Sequence, residues 1–189
     1  SSVNDLSAFS YKARVRGCCE ISVLYAYDIE RMEPICAQVF PENSIDASSY
    51  SSFIRDNDIR QGIIVADKGF PPARILKDLE ERPDLHFLTP IRRNDLRIRD
   101  NGMLSFEGVL GGIGGQVVYK KKQIKGGRFL YAYKDARKAN AEEEEYLRKA
   151  REKHGFDAVR YNEKRNLFGV IVFESDLDLD PETAYLCYE

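Results

Sequence analysis

A chain of 189 residues, 43% hydrophobic, can bury one good core or one core with a sizeable insertion. Its longest apolar runs, around Ile63 and Val170, are too short to cross a membrane, and no charged-then-apolar leader opens it. The four cysteines have neither zinc spacing nor a regular framework, which suits reduced thiols in a cytoplasmic protein, and the net charge of −2 conceals an uneven distribution.

In chain order, the first ten residues read as a polar connector. Residues 20–28 alternate and are rich in tyrosine, the pattern of a strand; a turn at 30–33 leads to a hairpin partner over 34–40, with Pro34 at its start. Asp46 is placed to cap a helix running to Arg55. The run Gly62-Ile63-Ile64-Val65-Ala66 then enters Asp67 and Gly69, as a strand buried on both faces would, with an acid at its carboxyl end. That is the rim where open α/β sheets hold ligands, although an Asp before a glycine is also an ordinary turn former or helix cap. A helix from Pro72 to about Arg82 and a strand over 85–90 follow.

Beyond Ile91 the texture changes. Between Ile91 and Lys138 twelve Lys or Arg face four acids, a basic segment on an otherwise acidic body. Residues 103–110, 116–119 and 128–133 read as a small antiparallel meander with glycine turns at 111–115 and 126–127. A charged helix over 140–154, with Glu144→Arg148 and Glu145→Lys149 pairs, ends at Gly155. Residues 167–173 read as a buried strand, and Asp180-Pro181-Glu182 opens a last helix. The glycine cluster at 111–115 lacks the Lys-Ser/Thr of a phosphate loop, and His86 and His154 have no partner in sequence, so all three read as structural.

The segments "PICAQVFPENSIDASSYSSFI", "IIVADKGF", "LHFLTPIRRND" and "LFGVIVFESDLDLDPETAYLCYE" together resemble the DDE transposases of bacterial insertion sequences. The resemblance implies an α/β fold of the ribonuclease-H-like type. A mixed sheet with flanking helices would span residues 1–90 and 166–189, interrupted by a basic, strand-rich insertion over 91–165. It implies Mg²⁺-dependent (or Mn²⁺-dependent) DNA cleavage and strand transfer at the ends of a mobile element, with self-association in a synaptic complex and no membrane partner. The family's second catalytic Asp falls on Asp67, which would also be a metal ligand. Two hard divalent ions held by three carboxylates would polarise the attacking and leaving oxygens of phosphoryl transfer. The first Asp is expected upstream of Ser1 and the Glu beyond Glu189, with Asp5, Asp28 and Glu189 only poor substitutes, so the chain alone is expected to be inactive. One departure is Glu42-Asn43, where the family has Gly-Asn.

Arg92-Arg93-Asn94 resembles the family's segment of the same type. Arginine forks there can grip DNA phosphates, or pair with Asp95 or Asp100. Lys120-Lys121-Lys122 would add salt-sensitive attraction to a DNA backbone. The alternative is a non-catalytic α/β nucleic-acid-binding or assembly module from a decayed element, with Asp67 a turn residue.

Overall fold

The computed structural model describes residues 21–28, 31, 33–41, 47–65, 76–112, 116–152 and 155–188. The chain is α/β and divides into two compact units, Ser1–Gly62 with Phe70–Leu85, and Ile63–Gly69 with His86–Glu189. No helix among the described residues is long and apolar enough to cross a membrane.

The first unit contains an antiparallel hairpin of β1 (Ile21–Asp28) and β2 (Glu33–Pro41), with a register shift between Ala26 and Tyr27. Asp28 serves the turn, accepting the Arg31 N–H at 3.0 Å, as the sequence suggests. Alternation puts Val23, Tyr25 and Tyr27 on one face with Ile35 and Val39, and this apolar strip is exposed. Helix α1 (Ala47–Asp56) buries Phe53 and Ile54. Its end is closed by bonds from Asp58 N to Arg55 O (3.2 Å) and Ile59 N to Ile54 O (2.9 Å), around a left-handed Asp58 at φ 49°. This is a Schellman-type cap, with aspartate where glycine is commoner. The short helix α2 (Leu76–Glu81) completes the described part of this unit; its expected start at Pro72 and the Asp46 cap lie outside the described residues.

The main sheet has the order β3-β4-β8-β7-β6-β5, formed by β3 (Gln61–Val65), β4 (Asp84–Pro90), β5 (Gly108–Val109), β6 (Val117–Gln123), β7 (Phe129–Asp135) and β8 (Val170–Ser175). All pairings from β4 through β8, β7 and β6 to β5 are antiparallel. Strand β3 corrects an expectation. Its apolar run is not buried on both faces: it occupies the sheet edge, with Ile63 and Ile64 half-buried and Val65 38% exposed. An edge strand has a neighbour on one side only, so apolar composition alone cannot bury it.

Strand β7 is the centre of the core, with Phe129 through Tyr133 all buried. Its odd positions join Val117 and Phe173 on one face, under Ala184 and Tyr185 of α6 (Pro181–Leu186). Its even positions, Leu130 and Ala132, join Val170 and Val172 on the other, covered by Ile91, Ile98 and Met103. Each large side chain fully removed from water contributes about 2–3 kcal/mol. The buried hydroxyls are satisfied: Tyr131 donates to Leu177 O and accepts from Leu179 N, both at 2.7 Å, and Tyr133 donates to Pro181 O at 2.7 Å. The chain beyond β8 is thereby tied back to the core. Asp180 caps α6 as expected, accepting from Glu182 N and Thr183 N.

Several boundaries differ from the sequence reading. Only Gly108–Val109 of the expected 103–110 strand is extended; Met103 is buried from a turn. Helix α4 (Ala136–Glu152) begins four residues earlier than Asn140, because Asp135, the last residue of β7, caps it by accepting from Arg137 N (2.8 Å) and Lys138 N (3.2 Å). Within it Arg148 reaches Glu145 and Glu152 rather than Glu144, while the Glu145–Lys149 pair forms at 3.0 Å. Two hydrogen bonds to Glu145 hold its carboxyl down at about 2, that of the Arg148 guanidinium first and that of the Lys149 ammonium second. Strand β8 starts at Val170, not Leu167, because Gly169 turns the chain first with φ 68°. Helices α3 (Leu96–Asp100) and α5 (Ala158–Arg165) are absent from the sequence reading.

Candidate functional site

Asp67, the residue singled out for metal binding and catalysis, lies outside the described residues, as do His154 and Glu189. The basic residues predicted to touch DNA are described, and the structure sorts them by what each side chain already holds.

Strand β4 ends at Pro90, and Ile91 N donates to Val172 O at 2.8 Å, so Arg92 is the first residue to leave the sheet; it is exposed. Arg93 turns inward. Its Nη1 and Nη2 each lie 2.7 Å from a Glu142 oxygen, and its Nε lies 2.6 Å from Val170 O. Glu142 also accepts Gly169 N at 3.1 Å. Arg93 therefore clamps α4 to the start of β8, and its ion pair is with Glu142, neither Asp95 nor Asp100. Those two acids serve their own neighbourhood. Asp95 caps α3 and takes Arg97 through both oxygens, at 3.0 and 2.9 Å, while Asp100 meets Arg99 at 3.2 Å. The Arg97 hydrogen bond holds the Asp95 carboxyl below its ordinary range, and Asp95 raises Arg97 in turn.

Arg97 also joins a buried charge cluster. Glu174 on β8, 3% exposed, receives Arg97 Nη1 at 2.8 Å and Arg128 Nη1 at 2.9 Å. Arg128 lies over the Phe87 ring at 5.8 Å. A carboxylate this buried requires such partners, since an unpaired one would cost several kcal/mol.

The lysine run is split by strand alternation. Lys121 stands opposite Tyr131, on the face of the tyrosine core. Its Nζ donates to Leu179 O at 2.6 Å, pairs with Asp178, and sits 5.5 and 5.6 Å over the Phe129 and Tyr131 rings. Lys120 and Lys122 stand opposite Ala132 and Leu130, on the other face. Lys122 is exposed, with its Nζ 3.2 Å from Asn101 O.

Sequence reasoning left His86 without a partner. The structure supplies one: Nδ1 lies 3.0 Å from Asp176 Oδ2, and Asp176 Oδ1 accepts Phe87 N at 2.9 Å. The pair fastens the start of β4 to the end of β8. An open cleft of about 500 Å³ is lined by Arg93, Asn94, Tyr146, Lys149, Lys164 and Phe168, but Arg93 and Lys149 there are already paired with glutamates.

Glu142, Glu174, Asp176 and Asp178, which decide the role of each cation, were not foreseen. Separations of 49, 77 and 90 residues leave no local pattern to find the first three. The described side chains do not fit a divalent-metal centre: no group of three or more His, Cys, Asp or Glu among them could hold an ion. Compared with known proteins, the chain matches no family model, no curated sequence and no solved structure.

Proposed function

We propose that this chain is part of a cytoplasmic DDE-type transposase, a ribonuclease-H-like protein that cleaves and joins DNA at the ends of an insertion element with Mg²⁺. The reading is supported by the order hairpin, α1, β3, α2, β4. That is the order the motif resemblance leads one to expect around Asp67. The observation that carries it is the pairing of β3 with β4 in one sheet, the first leading toward Asp67 and the second directly into an exposed Arg92. A carboxylate and a free guanidinium following neighbouring strands suit a phosphodiester substrate. Arg93 then acts as the anchor of the segment that carries Arg92, not as a DNA contact. A metal centre would need Asp67 together with carboxylates outside the described residues.

The test is strand cleavage by the full-length protein with an element-end duplex and Mn²⁺ or Mg²⁺. Asp67→Ala is expected to abolish cleavage while leaving DNA binding and thermal stability unchanged; retained cleavage refutes the role of Asp67. A second reading, a non-catalytic nucleic-acid-binding module, is favoured by one observation. The exposed cations Arg92, two residues beyond β4, and Lys122, on β6, are present whatever Asp67 does. It predicts salt-sensitive binding with no cleavage in any metal.

A further inference from the structure

We propose that one face of β6 and β7, carrying Lys122, Lys120 and Lys134, is the phosphate-binding surface of this protein, while Lys121 and Arg93 take no part in it. The proposal deepens the nucleic-acid reading above and rests on it.

Pairing fixes the geometry. Lys122 is opposite Leu130, Lys120 opposite Ala132, and Lys134 opposite Val118, so all three side chains leave the sheet on the Leu130–Ala132 face. Lys122 and Lys120, two residues apart on one strand, are spaced by roughly 6.7 Å. Lys120 and Lys134 are diagonal neighbours across the ladder, about 7–8 Å apart. The result is a short row of three like charges. Like charges on adjacent ladder positions repel, and the cost is normally offset by interleaved acids. Here, among the described residues, neither Lys120 nor Lys134 has an ion pair, and the only bond of the Lys122 ammonium is to the Asn101 carbonyl. The acids close in sequence serve the backbone: Glu107 Oε1 accepts Lys121 N at 2.9 Å, and Asp135 Oδ1 accepts Arg137 N and Lys138 N at 2.8 and 3.2 Å.

Of the three, Lys122 is exposed and Lys120 and Lys134 are half-buried, at the margin of the area that Ile91, Ile98 and Met103 cover. Val109, next in the row through Val118 to Lys134, is 56% exposed. A row of uncompensated cations beside an uncovered apolar residue fits a polyanion with an evenly spaced backbone, charge to charge, with the sugars over Val109. An acidic protein surface would lack that regular spacing. The opposite face offers nothing comparable, since its one lysine of the run is already held by Asp178, a carbonyl and two rings.

The test is binding of the whole chain to a fluorescent random-sequence duplex and to a single strand, by anisotropy, between roughly 50 and 200 mM salt. The wild-type protein is compared with Lys120→Gln/Lys122→Gln/Lys134→Gln and with Arg160→Gln, which removes an exposed cation on α5. Thermal unfolding of each variant confirms that it folds. The triple variant is expected to lose at least about tenfold in affinity and to reduce the log–log salt slope by about 2–3, near 0.9 per phosphate released. Arg160→Gln is expected to change neither. An unchanged slope in a folded triple variant, with wild-type binding intact, overturns the surface and leaves the nucleic-acid reading standing. Absence of wild-type binding to either probe at the lowest salt overturns both. Should the triple variant fail to fold, Lys120→Gln and Lys122→Gln singly must each lower the slope by about 1, and an unchanged slope in both refutes the proposal.

Discussion

Arg93 and Glu142, 49 residues apart in sequence, meet fork to fork, with each terminal nitrogen 2.7 Å from its own carboxylate oxygen. The adjacent Arg92 makes no such contact and is exposed. Two consecutive arginines thus have opposite duties, one inside the fold and one outside it. Arg93→Ala should destabilise by about 1–2 kcal/mol, a charge-assisted bond discounted because both side chains are about a third exposed. Arg92→Ala should stay within about 0.5 kcal/mol and lower affinity for DNA instead. Urea unfolding compares the two; equal losses would show that the Arg93 clamp contributes nothing.

Gly169 is held against backbone on two sides. Its φ is 68°, and an added Cβ would lie 2.4 Å from Asp135 O and 2.6 Å from Ala139 N. Neither neighbour is the movable end of a side chain. Gly169→Ala therefore combines left-handed strain with a backbone collision, and a loss of about 4 kcal/mol or more is expected. A thermal midpoint within a degree or two of the wild type would contradict this packing of α4 against the turn.

Glu174→Ala removes the shared partner of Arg97 and Arg128. Truncating one member of a buried pair costs about 3–5 kcal/mol, and the lower end applies because both arginines reach solvent and can be rehydrated. The conservative Glu174→Gln keeps the shape and one acceptor, so it should lose less than the alanine variant. A glutamine variant as stable as the wild type would mean that packing, not charge, is what β8 requires there.

The Tyr131 hydroxyl reports on high pH. Burial pushes it up to about 12, against about 10 in an unfolded chain. A phenol raised on folding contributes stability that is complete below about pH 10 and is lost as pH rises through about 12. Tyr131→Phe surrenders the bonds to Leu177 O and Leu179 N, so it should cost about 1–2 kcal/mol at neutral pH. The gap between wild type and variant should then narrow between about pH 10 and 12. A pH-independent gap, measured by thermal unfolding across that range, would refute the assignment.

Much of the fold was legible in particular residues. Residues 128–133 read as a strand of a small meander, Gly126-Gly127 as its turn and Asp180-Pro181-Glu182 as the last helix, and all three are found, the strand at the centre of the core. What escaped was of two kinds. Helix α5 buries none of its residues, so no apolar stripe marked it; only Asp157, whose side chain accepts Arg160 N, hinted at its start. The ion pairs escaped because the partners sit on different strands and helices, and a sequence lists charges without saying which face each one leaves by. For the lysine run that information was present once β6 was recognised, since period-two alternation divides any three consecutive residues.

The same alternation makes β6 sensitive to the length of its gene. An in-frame insertion of one codon between Val117 and Lys120 would hardly alter composition, yet it would exchange the two sides. Lys121 would be expelled into water, while two ammonium groups would be driven against Phe129 and Tyr131. One added codon at Gly126-Gly127, where the hairpin turns at the surface, would lengthen a loop and leave that parity untouched. Among descendants of this gene, length variation should therefore collect at the hairpin tip and be purged from the strand.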